Sequence, residues 1–190
     1  MSNVYEPATT PTMYFIGVTT GQSSIMKIFP GWAEKLKLRN AVIRGIDFTP
    51  HSSANEYREA VMFIKNDPFS MGALVTTHKI DLFNTCKDLF EYIDPYAEKL
   101  GEVSSISKSG GKLCAHAKDP ITSGRALEHF VPGNYWQDHG GEVLILGAGG
   151  SALAMSMYLV QEQAGSNVPR RITITNRSLP RLEEARSKLA

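Results

Sequence analysis

Cysteine is scarce in this chain. Its two thiols, Cys86 and Cys114, form no spaced motif, which excludes a zinc knuckle and a disulfide framework and points to a reducing, cytoplasmic setting. Charge of one sign is lacking as well: 20 Lys and Arg stand against 19 Asp and Glu. The net charge of +1 supplies no basic field for nucleic acid and no acidic, disordered tail. No apolar run is long enough to cross a membrane, and residues 1–11 lack the basic-then-apolar order of a signal peptide. The five histidines (His51, His78, His116, His129 and His139) include no metal-ligand pair at helical spacing, so no metal is expected. Repeats and low-complexity tracts are missing too. What is present is an ordinary globular composition, 42% hydrophobic and 21% charged, on 190 residues. That length builds one large domain or two small ones with an ample core. A small molecule is the expected partner, with no nucleic acid and no membrane, and a homodimer is the oligomer to test for.

The most informative stretch follows Glu142. Val143-Leu144-Ile145-Leu146 has no polar alternation and predicts a strand buried on both faces, as in a parallel sheet. Glycines come next, and residues 153–163, rich in Ala, Met, Leu, Gln and Glu, predict a helix. Gly147, Gly149 and Ala152 fall on the G-x-G-x-x-G/A spacing of a dinucleotide-binding turn, with Ala148, Gly150 and Ser151 between them. Gly147 lets the backbone turn sharply, Gly149 lets it approach a pyrophosphate, and the small Ala152 lets helix and strand pack closely. Free N–H groups at the positive end of the helix dipole would hold phosphate charge. A tight structural turn is the alternative. A second cofactor signal lies at Asn176-Arg177-Ser178, past a predicted strand at 171–175. NAD-binding units place an acid there for the ribose 2′-OH, whereas an Arg accommodates a 2′-phosphate. No Asp or Glu occurs between Ile172 and Leu182, Arg177 has the planar fork suited to phosphate, and Arg181 follows one turn on. NADP is therefore expected over NAD, against the alternative of a solvated basic helix start.

Upstream the chain alternates. Strands are predicted at 13–18, 41–48 and 71–76, and helices at 25–38 (interrupted near Pro30-Gly31), 53–65 and 78–89. Ser53 and Glu56 have the capping-box spacing that starts the second of these helices, and Asn66-Asp67-Pro68 ends it. This rhythm predicts a parallel sheet with crossover helices. Segments 103–107 and 112–116 flank Ser109-Gly110-Gly111 and predict a hairpin on that sheet. Asp119-Pro120 predicts a helix through Phe130, with Asp119 as its cap. Residues 132–141, rich in Gly, Pro, Asn and Asp without a period, predict a linker. Beyond it only two strands and two helices follow, fewer than the three strands usual for a nucleotide-binding half. An incomplete unit is expected, either a fragment or one completed by a partner.

Few residues are candidates for chemistry. Lys79 stands at a predicted helix start, where a cation opposes the dipole by ~0.3–1 kcal/mol, so helix propensity does not explain it. A lysine in a cleft can exchange a proton with a hydroxyl as hydride leaves the same carbon; a surface lysine is the alternative. Asp119 reads first as a helix cap, a position that at a domain junction also faces a cleft. Hydroxyls cluster at predicted strand ends: Thr19, Thr20, Ser23 and Ser24, then Thr76 and Thr77, then Ser104 and Ser105. Such a set suits a polyhydroxylated ligand, though each alone is commonly a turn residue.

Over essentially its whole length the sequence resembles the shikimate/quinate dehydrogenase family. That family's opening Gly-x-Pro-x-x-His-Ser-x-Ser-Pro loop is matched at Gly17 and Ser23, with Thr19, Gln22, Ile25 and Met26 in place of the Pro, the His, the second Ser and the final Pro. Its Asn-Val-Thr-x-Pro-x-Lys stretch is matched by Leu74-Val75-Thr76-Thr77-His78-Lys79 with one residue deleted and no Pro. Its Gly-Ala-Val-Asn-Thr becomes Gly101-Glu102-Val103-Ser104-Ser105, and its Asn-Thr-Asp becomes Ala117-Lys118-Asp119. Gly147-Ala148-Gly149-Gly150 and Asn176-Arg177-Ser178 fit its NADP-binding motifs. The resemblance implies Lys79 and Asp119 as a catalytic pair, with Lys79 as acid/base, and Ser23, Thr76 and Ser104 as holders of substrate hydroxyls or carboxylate. It also implies a C-terminal part, completing the nucleotide sheet, that this sequence does not contain.

The resulting expectation is an α/β protein: an N-terminal α/β substrate domain (1–119), a connecting helix and linker (120–140), and a truncated Rossmann-type NADP-binding domain (141–190). Its expected activity is hydride transfer between NADP and a ring secondary alcohol of a cyclic polyhydroxy carboxylate, within aromatic amino acid biosynthesis. A non-catalytic NADP- or metabolite-binding protein on the same scaffold is the rival. A methylene-tetrahydrofolate-type dehydrogenase comes third, because the hydroxyl-rich loop favours a sugar-like ligand.

Overall fold

The computed structural model describes residues 5–161 and 164–190. The chain divides after Ala117 into two compact units.

In the first unit, apolar alternation and buried runs give strands β1 (Thr12–Gly17), β2 (Val42–Asp47) and β3 (Ser70–Val75), joined by helices α1 (Ile25–Lys35) and α2 (Ala54–Asn66). Helix α3 (Lys79–Cys86), strand β4 (Tyr92–Ile93), helix α4 (Pro95–Leu100) and the hairpin β5 (Ser105–Ser109) and β6 (Lys112–His116) follow. The six strands form one sheet in the order β2-β1-β3-β5-β6-β4. Strand β1 runs parallel to β2 and β3, as the alternation predicts, while β5 is antiparallel to both β3 and β6. Met71 is passed over in the β1–β3 register, and Gly72 after it has φ +119. A Cβ on Gly72 would lie 2.0 Å from the Ile106 carbonyl oxygen, so only glycine lets β3 and β5 approach this closely. The hairpin turns on Gly110 and Gly111, both with positive φ, which matches the twist of the strands they join.

The capping box is formed: the Ser53 side chain accepts from the Glu56 N–H, and Glu56 reaches back to the Ser53 N–H. One expectation for this unit needs correction, and one region carries elements that the sequence reading does not predict. Helix α1 is continuous through Pro30, because the ring removes a single N–H donor while Phe29 and Ala33 are buried on either side of it. The region after α3 holds β4 and α4, which two-residue and six-residue lengths hide from any periodicity. Helix α4 nonetheless carries a legible start and stop: Asp94 accepts from the Ala97 N–H, Pro95 opens the first turn, and Gly101 closes it with φ +66.

The second unit holds helices α5 (Asp119–Glu128) and α6 (Tyr135–His139), strand β7 (Glu142–Leu146), helix α7 (Gly150–Leu159), strand β8 (Arg171–Thr175) and helix α8 (Leu179–Leu189). Strands β7 and β8 pair in parallel as a two-stranded sheet. Helix α5 packs on α7, with Gly124 against the Tyr158 ring so closely that a Cβ there would sit 2.1 Å away. The cap of α5 is Lys118, and Asp119 is its first helical residue, a place where an acid still favours the helix dipole. The expected linker contains α6, whose five residues are too few to show a period. Helix α7 ends at Leu159, and Glu162 and Gln163, where the predicted helix reached, lie outside the described residues. The largest correction concerns β7: Leu144 and Leu146 are exposed and Val143 and Ile145 only half-buried, so one face of the strand is open.

Candidate functional site

In the first unit the predicted residues gather at the carboxyl ends of β1 and β3. The Thr76 N–H donates to the Ile16 carbonyl at 3.0 Å, and the Val75 N–H donates to the Ser104 carbonyl at 2.9 Å. The Val103 N–H donates to the Lys79 carbonyl at 3.1 Å, which joins the start of α3 to the segment entering β5. Thr76, Lys79 and Ser104 are thus neighbours through three backbone bonds. Lys79 is half-buried as the first residue of α3, Ser104 is buried, and Thr76 is half-buried with its hydroxyl toward the Ile16 carbonyl. Ser23 lies one turn after β1 and ends a short helical turn, Thr20–Gln22, by donating its N–H to the Thr20 carbonyl at 3.0 Å. Thr20 is packed under Gly17 and Gly45: a Cβ on Gly45 would lie 1.9 Å from the Thr20 hydroxyl.

Sequence reasoning missed three polar groups around this cluster. Asp47, at the end of β2, accepts from the Thr20 N–H at 2.8 Å and so fixes the loop that carries Ser23. An acid at the carboxyl end of an edge strand is a signal that could have found it. His78, between Thr77 and Lys79, is buried, with Nδ1 2.8 Å from the Tyr57 hydroxyl. Glu102 is buried too, in the position where the family pattern has Ala. A fourth chain, Ser107 Oγ to His116 Nε2 at 3.0 Å and His116 Nδ1 to Asp94 Oδ2 at 3.2 Å, has the order of a nucleophile relay. Asp94 also caps α4 and accepts from the Ala117 N–H, so the chain fastens the hairpin to that helix.

In the second unit the glycine turn has the shape that its spacing predicts. Gly147 has φ +116 and donates its N–H to the Thr175 carbonyl at 2.8 Å, and no atom lies where its Cβ would stand. Gly149 occupies the cap of α7, Gly150 and Ser151 form its first turn, and Ala148 and Ala152 are buried against the unit. Gly147, Thr175, Asn176 and Arg177 line an open hollow of about 560 Å³. A second hollow, of about 320 Å³, opens on Gly147, Gly149, Gly150 and Ser151 from the side of Ile145 and Met155. Asn176 Oδ1 accepts from the Ser178 N–H at 3.0 Å, a local turn that leaves the exposed Arg177 on the rim. Arg181 is drawn elsewhere: its guanidinium pairs with Glu184, which Lys188 also contacts. The turn is free of side chains where a pyrophosphate would approach, and a guanidinium stands on the rim of the hollow where a 2′-phosphate would lie. A dinucleotide phosphate therefore fits the residues present.

These features define a class first: a two-unit α/β chain whose second unit carries a Rossmann-type strand–turn–helix. The comparisons then narrow it. No family model matches the chain. The NADP-dependent shikimate dehydrogenase of Bacillus cereus strain 03BB102 is 30% identical over 126 residues, 66% of this chain and 41% of that protein. A solved shikimate dehydrogenase in complex with NADP+ is 26% identical with a TM-score of 0.69, covering 100% of this chain and 59% of that one. The shikimate dehydrogenase of Aquifex aeolicus shares the fold with a TM-score of 0.74 at 22% identity, over 97% of this chain and 62% of that one. The chain is similar to these shikimate dehydrogenases in sequence and fold, and it spans about 41% of the length of the curated relatives it matches. Among the described residues, no helix is long and apolar enough to cross a membrane.

Proposed function

We propose that this chain is an NADP-dependent oxidoreductase acting on a ring secondary alcohol, or the matching ketone, of a cyclic polyhydroxy carboxylate. The observation that carries this is the hollow shared by Gly147, Asn176 and Arg177. NADP, when bound there, supplies the acceptor or donor of hydride. The first unit holds substrate: Ser23, Thr76 and Ser104 offer hydroxyls to its oxygens, and the Lys79 amine takes the proton of the reacting hydroxyl or returns it. By the likeness to the family motif, Asp119 is the second member of the catalytic pair. Asn176, Arg177 and Ser178 secure the 2′-phosphate, with Arg181 adding charge from the next turn. The free thiols Cys86 and Cys114 suit a reducing cytoplasm, and a homodimer is the assembly to test by sedimentation.

The test is NADPH formation on a panel containing shikimate and quinate. Lys79→Ala is expected to lower turnover by about 100-fold or more with NADP affinity unchanged. Equal turnover in that variant would remove Lys79 from the reaction. A second reading, a non-catalytic NADP- or metabolite-binding protein, is motivated by the altered substrate loop at Thr19, Gln22, Ile25, Met26 and Leu74. Nucleotide binding without turnover on any cyclic hydroxy acid would favour it.

A further inference from the structure

We propose that His78 is the positioning residue that sets the place of Lys79, an inference that rests on the role given to Lys79 above. Three residues separate β3 from α3, and the chain reverses across them. The His78 N–H donates to the Thr76 carbonyl, closing a tight turn about Thr77 at φ +43. A β-branched residue in that region is strained and keeps such a shape only when its surroundings over-determine it.

His78 supplies that constraint through its side chain. The residue is 1% exposed, with Nδ1 2.8 Å from the Tyr57 hydroxyl. Its ring stands edge-on to Phe48 with centroids 5.8 Å apart, and 5.6 Å from the Tyr57 ring. Its carbonyl accepts from the Leu82 N–H at 2.9 Å, a bond in the same first turn of α3 that carries Lys79. Burial first, and then Asp81, raises the Tyr57 phenol above its ordinary range, and the phenol and Nδ1 share one hydrogen bond whose direction follows the ring tautomer. Nε2 is buried and has no hydrogen-bond partner among the described residues. A buried polar atom left unpaired costs stability, so an aliphatic side chain would serve better if filling space were the whole task. The anchoring bond to Tyr57 accounts for a histidine.

The test reads Lys79 directly, without turnover. In protein reductively methylated with ¹³C, the Lys79 dimethylamine resonance is assigned by its loss in Lys79→Ala. His78→Leu is expected to move that resonance and its titration midpoint, and to lower kcat about 10-fold with KM for NADP unchanged. Glycine is at ease at φ +43, so adding Thr77→Gly to His78→Leu is expected to return the resonance to its original position. Reversal of that kind is not what a general loss of stability produces. Tyr57→Phe removes the hydroxyl alone and serves if His78→Leu does not fold; a smaller shift in the same direction is expected. An unmoved Lys79 resonance in folded His78→Leu or Tyr57→Phe, or a double variant that does not recover, would overturn the proposal. Normal turnover in Lys79→Ala would sink the catalytic role of Lys79 instead, while the resonance still judges the anchor.

Discussion

Ile16 in β1 and Leu146 in β7 occupy similar places in two strands that look alike as sequence, Met13-Tyr14-Phe15-Ile16 and Val143-Leu144-Ile145-Leu146. Ile16 is fully buried and Leu146 is 82% exposed. Strand β1 lies between β2 and β3, whereas among the described residues β7 pairs with β8 alone. An apolar run reports that a strand forms. Whether its faces are buried depends on what packs over them, and β7 has one face open.

The contrast makes graded predictions. Ile16→Ala opens a cavity in a closed core and should cost about 2–5 kcal/mol of unfolding free energy, read by denaturant titration. Asp67→Asn should come next. Burial pushes the Asp67 carboxyl up, but hydrogen bonds from Tyr14, Phe69 and Ala8 outweigh it and hold it below the usual carboxylate range. A folded value below the unfolded one means stability that is present above about pH 4 and lost as pH falls through the folded value. Asp67→Asn should therefore cost about 1–3 kcal/mol at neutral pH and flatten the acid limb of the stability curve. Leu146→Ala should lie within about 0.5 kcal/mol of the parent, since its side chain leaves little water on folding. A Leu146→Ala cost matching that of Ile16→Ala would mean that β7 is covered in solution, and the contrast would fail.

The same contrast explains what could be read in advance. Capping signals worked where chemistry is local: Ser53 with Glu56, and the Gly110-Gly111 turn, act within a few residues of themselves. The glycine turn at Gly147 was legible for the same reason. Lys79, Thr76 and Ser104 were found through motif likeness, and their adjacency comes from strand order, which spacing along the chain does not encode. His78 was passed over as one of five unspaced histidines, because its importance lies in Tyr57 and Phe48, residues distant in sequence. Arg181, one turn from Arg177, pairs with Glu184 within its own helix, a partner that an i,i+3 inspection would have found.

Calorimetric titration of NADP and NAD into the chain and into Arg177→Ala bears most directly on the nucleotide site. NADP should bind at least about 10-fold tighter than NAD, a difference of about 1.4 kcal/mol, and Arg177→Ala should erase that preference. Equal affinity for the two nucleotides, or a preference that survives in Arg177→Ala, would contradict the role given to the hollow at Gly147, Asn176 and Arg177.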